Sequence, residues 1–196
     1  MPTLYDLKPR FQGLLRPLVA RLAAAGITAN QVTIATGVAS VALGCWLALR
    51  HRGWILLPVF LIARMALNAM DGMLAQEHGQ KSRLGAVLNE LTDVISDAAL
   101  ALPFATLPGW NTLAVAGAIF FAALTEMAGL AGLTVGSTRR YDGPFGKSDR
   151  ALALGVLGGW LALGWPVNDS ARRVAPVVWM ALCCATIVQR VRRALG

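Results

Sequence analysis

The stretch Asn68-Ala-Met-Asp71-Gly72-Met-Leu-Ala75-Gln76-Glu-His-Gly-Gln-Lys-Ser-Arg-Leu84-Gly85-Ala-Val-Leu-Asn89-Glu-Leu-Thr-Asp93-Val-Ile-Ser-Asp97 decides how this chain folds. Its first part closes an apolar run that begins at Trp54, and its second part opens one that reaches Leu107. On a helix, positions 68, 71, 72 and 75 share one face. Positions 85, 89, 93 and 97 form a slowly drifting column on the next helix. The short connection from Gln76 to Leu84 predicts antiparallel neighbours whose oxygen-bearing side chains converge at one membrane surface. Acids inside an apolar span are expensive and mark function by default, and Asp71, Glu90, Asp93, Asp97 and Glu126 lie in or at the edges of spans. Carboxylate and amide oxygens are hard ligands suited to Mg²⁺, Mn²⁺ or Ca²⁺ rather than zinc. Gly72, Ala75 and Gly85 have two readings: an open groove that admits a bulky ligand, or tight helix packing.

Composition sets the environment. The 196 residues are 56% hydrophobic and only 14% charged, with a mean hydropathy of +0.58. Soluble domains carry roughly 25% charged residues, so a water-soluble fold and a disordered chain are both excluded. The net charge of +8 suggests nucleic acid when read alone. The bases, however, fall between long apolar runs, which points to membrane lipids and not to nucleic acid. The runs 32–49, 54–74, 84–107, 110–135, 151–165 and 174–188 are each candidate spans. The expected fold is all-α and integral to the membrane: six transmembrane helices in one bundle, preceded by an N-terminal amphipathic juxtamembrane helix. Residues 1–30 form the surface helix and lead-in loop, and 31–196 the bundle, as one membrane domain. In the surface helix Leu4, Leu7, Phe11, Leu14, Leu18 and Leu22 alternate with Lys8, Arg10, Arg16 and Arg21, with bends expected at Pro9 and Pro17. Cys45, Cys183 and Cys184 lie in apolar runs and read as small hydrophobes.

Orientation follows from the bases. With a cytoplasmic N-terminus and six spans, Lys8, Arg10, Arg16, Arg21, Lys81, Arg83, Arg139, Arg140, Lys147, Arg150, Arg190, Arg192 and Arg193 are cytoplasmic. Only Arg50, Arg52, Arg172 and Arg173 lie opposite, and Arg64 lies within a span. This bias places both termini and the two basic loops of a multi-pass chain in the cytoplasm.

The segment from Asn68 to Asp93 resembles the signature of the CDP-alcohol phosphotransferases, Asp-x-x-Asp-Gly-x-x-Ala-Arg, eight residues, Gly-x-x-x-Asp-x-x-x-Asp, with the spacing kept throughout. Thr28-Ala-Asn30-Gln-Val-Thr33 resembles the family's Thr-Pro-Asn-x-x-Thr lead-in, and the likeness covers essentially the whole chain. It is closest to a bacterial branch, inner-membrane proteins among it, that shares Asn at the first and third positions. The resemblance implies a phosphotransferase that moves a phosphatidyl-type group from CDP-diacylglycerol to a small alcohol or alcohol-phosphate acceptor, releasing CMP. It implies a divalent cation, Mg²⁺ or Mn²⁺, and a homodimer. Carried over by position, Asn68, Asp71 and Asn89 are metal ligands, as is Asp93, which is also the catalytic base. Gly72, Ala75, Gln76 and Gly85 line the nucleotide pocket.

Three positions depart from that pattern. Asn68 and Asn89 replace carboxylates, and Gln76 replaces an arginine. The formal charge of the four acidic positions falls from −4 to −2, which weakens divalent binding and leaves one ion or two open. Asp97, one turn beyond Asp93, is a compensating metal ligand or a polar residue facing the bundle. Arg139, Arg140 and Lys147 in the Gly136–Arg150 connection are candidates for the acceptor or its phosphate, with topogenic charge as the alternative for the two arginines. Asp142 is expected to pair with one of these bases, and Glu126 with Arg64. Gly132-x-x-x-Gly136 and Gly155-x-x-x-Gly159 read as close packing. Two other readings stand beside the enzyme: a degenerate member that binds CDP-lipid or nucleotide without turnover, and an ion-coupled transporter. The transporter is disfavoured by a count of only six spans, no obvious internal repeat and the clustering of acids at one face.

Overall fold

The computed structural model describes residues 4–196, with side chains from residue 11 onward. The side chains of Leu4, Leu7, Lys8, Pro9 and Arg10, on which part of the amphipathic reading rests, lie outside the described residues. The helices are α1 (Leu4–Ala24), α2 (Ala29–Arg50), α3 (Leu56–Glu77), α4 (Arg83–Ala101), α5 (Thr112–Ala131), α6 (Lys147–Ala162) and α7 (Asp169–Leu195). Short 3-10 turns at Leu102–Thr106 and Gly132–Val135 extend α4 and α5.

Local chemistry sets the boundaries. Thr28 and Gln31 close a capping box at α2, with Gln31 N–H 3.2 Å from Thr28 Oγ1 and Thr28 N–H 2.9 Å from Gln31 Oε1. Ser82, Asn111 and Asn168 cap α4, α5 and α7 by accepting from backbone N–H groups. At α6, the Asp149 carboxylate accepts from Gly146 N–H at 2.8 Å. The α1 helix continues through Pro17 and does not end there.

Helices α2, α3, α5 with its 3-10 extension, and α7 are long and apolar enough to cross a membrane. The other two expected spans are weaker. Helix α4 carries Glu90, Asp93 and Asp97. Helix α6 has 16 residues, a length of about 24 Å against a hydrocarbon core of about 30 Å. Exposed Ile34, Val38, Ile62, Leu113, Phe120 and Val156 give the bundle an apolar exterior that suits lipid.

Helix α2 organises the N-terminal half, because it packs against both α3 and α4. The expectation that α3 and α4 are direct neighbours is corrected here: they do not pack along their lengths. The physical reason is on α2. A Cβ at Gly37 would lie 2.4 Å from Thr92 Cγ2, and one at Gly44 only 2.2 Å from the Ala99 carbonyl oxygen. Two glycines thus draw α4 onto α2 and leave α3 to pack on α1, α2 and α6. The α6 contact uses Gly158, where a Cβ would meet Leu57 Cδ2 at 2.9 Å, while Gly159 faces open space. At Gly136 the backbone is left-handed, φ +78°, so this glycine ends a helical segment and does not pack.

Helices α5 and α7 pair closely, with Cys183 buried beside Ala122 and Phe145. Helix α1 rests on α3, and its Val19 is buried with Val32, Met70 and Leu74. Arg16 also meets Glu77 at 3.0 Å through both Nε and Nη2. The loops before α2 and α4 are tied together, since Ala29 N–H donates to Gln80 Oε1 at 2.6 Å.

Gly44→Ala is expected to destabilise the protein by about 1–3 kcal/mol through overpacking. Gly159→Ala, where nothing lies within 4 Å of the added carbon, should leave thermal unfolding in detergent unchanged or raise its midpoint.

Candidate active site

The middles of α3 and α4 meet through side chains. Arg64 spans the gap. Its Nη1 lies 2.5 Å from Asp97 Oδ1, and its Nη2 lies 3.2 Å from the Asp93 carbonyl and 3.3 Å from Asp93 Oδ1. Asn68, one turn along α3, donates its amide N–H to the same Asp93 Oδ1 at 3.1 Å. The opposite amide orientation would set oxygen against carboxylate, so the chemistry fixes this assignment. Lys147, the first residue of α6, places its ammonium on Asp93 Oδ2. Both oxygens of Asp93 are therefore engaged.

A second layer continues the charge alternation. Arg150 is only 2% exposed. It donates to Thr125 Oγ1 at 2.8 Å, Glu126 Oε1 at 2.8 Å, the Phe145 carbonyl at 3.3 Å and Asp97 Oδ2 at 3.5 Å. Arg190 reaches Glu126 at 3.4 Å, the Asp142 carbonyl at 3.1 Å and the Thr125 carbonyl. Arg139 contacts Glu90 and lies 3.5 Å from Glu126 Oε2. The expected pair between Glu126 and Arg64 is not formed: Arg64 faces α4, whereas Glu126 on α5 faces bases from α6, α7 and the loop. Asp142 does pair with a loop base, Arg140, at 3.0 Å.

Asp71 stands apart. It is buried, and Oδ2 accepts from the Thr33 hydroxyl at 2.9 Å. Among the described residues no cationic side chain forms an ion pair with it. Next to it, a Cβ at Gly72 would meet nothing within 4 Å. Open space lies there, on the α3 face that bears Asn68 and Asp71. Gly85 differs: a Cβ there would come 2.6 Å from Asn30 Oδ1 and 2.9 Å from Ser82 Oγ, so it permits close packing of α4 on the start of α2. Ala75 is half-buried, Gln76 exposed and Asn89 half-buried on the column. From Asn68, Lys147 and Ser148 an apolar groove runs between α3 and α6 along Leu61, Met65 and Leu152.

The donor chemistry suits one divalent ion better than two. Asp71 offers a carboxylate unclaimed by a cation, and the Asn68 and Asn89 carbonyls are hard neutral oxygens nearby in the pattern. Magnesium is commonly held by one or two carboxylates with substrate phosphates completing the shell. Asp93 and Asp97 are instead committed to Lys147, Arg64 and Arg150. Among the described residues, no three His, Cys, Asp or Glu side chains gather into a metal-holding group.

Sequence reasoning missed the inward roles of Arg150, Arg190 and Glu90, and the Thr33 bond to Asp71. Both arginines sit at span ends, where topogenic charge hid them. The usable signal was the number of acids needing partners.

Residues 26–189 match the family described as CDP-alcohol phosphatidyltransferase. The chain belongs to the CDP-alcohol phosphatidyltransferase family. It is 51% identical, over 158 residues, to inner membrane protein YnbA of Escherichia coli K12, covering 80% of this chain and 79% of that one. Its fold is similar to a crystal structure of Mycobacterium tuberculosis phosphatidylinositol phosphate synthase (PgsA1) with CDP-DAG bound. That likeness has a TM-score of 0.73 at 21% identity, over 91% of this chain and 92% of that one. In this phosphatidyltransferase-family chain, as the geometry shows, the signature face carries a connected ionic network.

Arg150→Met leaves Asp97 and Glu126 short of a buried partner. A loss of about 3–5 kcal/mol is expected, the range for breaking one side of a buried pair, and a thermal melt reads it. Arg16→Met, at an exposed pair, should move the same melt far less.

Proposed function

We propose that this chain is a phosphatidyltransferase that moves a phosphatidyl-type group from CDP-diacylglycerol to a small alcohol or alcohol phosphate, releasing CMP. The observation that carries this reading is the placement of Asp71 and Asp93 on two helices, beside open space over Gly72. That space suits the nucleotide, with Ala75 and Gln76 along its rim, whereas Gly85 is taken up by packing against Asn30 and Ser82. The apolar groove beyond Asn68 and Lys147 suits acyl chains.

Asp71, with Asn68 and Asn89, would hold Mg²⁺ or Mn²⁺, which when bound neutralises the donor's diphosphate. The protein's own residues do the rest. Lys147 swings off Asp93 Oδ2 on its four-carbon stem and admits the acceptor hydroxyl. Asp93 takes the hydroxyl proton as that oxygen attacks the lipid-side phosphorus. The new O–P bond forms while the P–O bond to CMP breaks, and CMP leaves with the electron pair. Arg139, Arg140 and Lys147 orient the anionic groups and offset their charge. Arg64 and Arg150 hold Asp97 in the network, so Asp97 serves as a support for Asp93 in this reading. We propose further that the chain is one membrane domain, multi-pass in the bacterial inner membrane, with its site and termini cytoplasmic, and that it works as a homodimer.

A second reading has one observation in its favour. Both oxygens of Asp93 are occupied, and Asn68, Asn89 and Gln76 depart from the pattern, which suits a protein that binds CDP-lipid without turnover. Purified protein given CDP-diacylglycerol, Mg²⁺ or Mn²⁺ and a pool of alcohols separates the two. The enzyme releases CMP in a metal-dependent manner, and Asp93→Asn lowers that release at least about a hundredfold while keeping the fold. Donor binding with no CMP in any pool would contradict turnover.

A further inference from the structure

The resembled signature has four carboxylates, and two of those positions are neutral here. The structure puts a cation where the pattern does not call for one. Lys147 sits on Asp93 Oδ2, and Asp93 Oδ1 is held by Asn68 and Arg64. We infer that Lys147 replaces a second divalent ion: its ammonium supplies the positive charge on the Asp93 side of the site and excludes metal from that carboxylate. The inference rests on the proposed reading of the site as a place for a diphosphate.

Three features support the exchange. First, an ammonium and a divalent ion compete for the same carboxylate oxygen, and Lys147 is delivered by the backbone, at very high local concentration. Second, Asn68 and Lys147 fit one another chemically. An Asp at 68 would face Asp93 at the 3.1 Å now spanned by a hydrogen bond, and two carboxylates that close need a strong cation between them. The Asn amide donates instead, so the weaker charge of one lysine suffices. Third, charge is conserved: two carboxylates fewer remove two negative charges, one divalent ion fewer removes two positive ones, and Lys147 supplies the single positive charge lost where Gln76 replaces the pattern's arginine.

Lys147 is also well placed to be anchored yet mobile. Its backbone starts α6, fixed by the Asp149 cap at Gly146 and by buried Arg150. Its side chain is about one-third exposed at 32%, facing the groove between α3 and α6. Arg64 cannot serve in its place, because that side chain is 5% exposed and tied to both Asp93 and Asp97.

The test counts bound Mn²⁺ by electron paramagnetic resonance on the full chain in detergent, with cytidine diphosphate present to supply phosphate oxygens. Wild type and Lys147→Arg should bind no more than one ion per chain. Lys147→Met should tighten Mn²⁺ binding about tenfold or more. The triple variant Asn68→Asp, Asn89→Asp, Lys147→Met should bind one ion more than wild type. The double variant Asn68→Asp, Asn89→Asp, which keeps the lysine, should need about tenfold more Mn²⁺ than the triple for that extra ion. Two ions on wild type, unchanged affinity in Lys147→Met, or no extra ion in a folded triple variant would each overturn the inference. The single variant keeps the test decisive if the triple one does not fold. The count does not depend on turnover, so a failure of CMP release would leave it standing, and a failed count would leave the transferase reading standing.

Discussion

Arg64 reaches from α3 to Asp93 and Asp97 on α4, across a gap that the two helix backbones do not close. A charged side chain in an apolar bundle costs several kcal/mol unless it is paired and hydrogen-bonded. Each acid on the α4 column therefore needs a base from another element, and each base fixes where that element sits. Lys147 and Arg150 bring α6 to the column, Arg190 brings α7 to Glu126, and Arg139 brings the loop. Charge pairing organises one end of the bundle, while apolar packing around Leu47, Leu57, Leu100 and Phe104 holds the other.

Glycine separates two uses of space along the same signature. At Gly37, Gly44 and Gly85 the missing side chain lets helices or loops touch. At Gly72 nothing fills the space. The packed glycines fix α4 against α2, and that leaves α3 standing off with its small-residue face uncovered. The groove between α3 and α6 combines an apolar lining with a charge, Lys147, set at one end by the start of α6. That combination suits a phosphate site, which gains most from charges already in position before substrate arrives.

Much of this was legible in the sequence. Spacing alone put positions 68, 71, 72 and 75 on one face and 85, 89, 93 and 97 on another, and α3 and α4 carry them so. The N-terminal helix and the six that follow match the elements read from hydropathy, although among the described residues only four helices have the length and apolarity of clear spans. What sequence could not supply was pairing. Glu126 and Arg64 are both intramembrane charges, and only the rotation of α3 and α5 shows that they face different partners. Likewise a nine-residue connection says two helices are near, but the glycines on a third helix decide which of them touches it.

The open space over Gly72, beside Asp71, is the proposed seat of the donor headgroup. Equilibrium binding of CDP-diacylglycerol to Gly72→Leu in lipid nanodiscs tests it most directly. Nothing lies within 4 Å of a Cβ added there, so the melting temperature is expected to hold. Affinity should fall about tenfold or more. A folded Gly72→Leu protein that binds CDP-diacylglycerol as tightly as wild type would contradict the account.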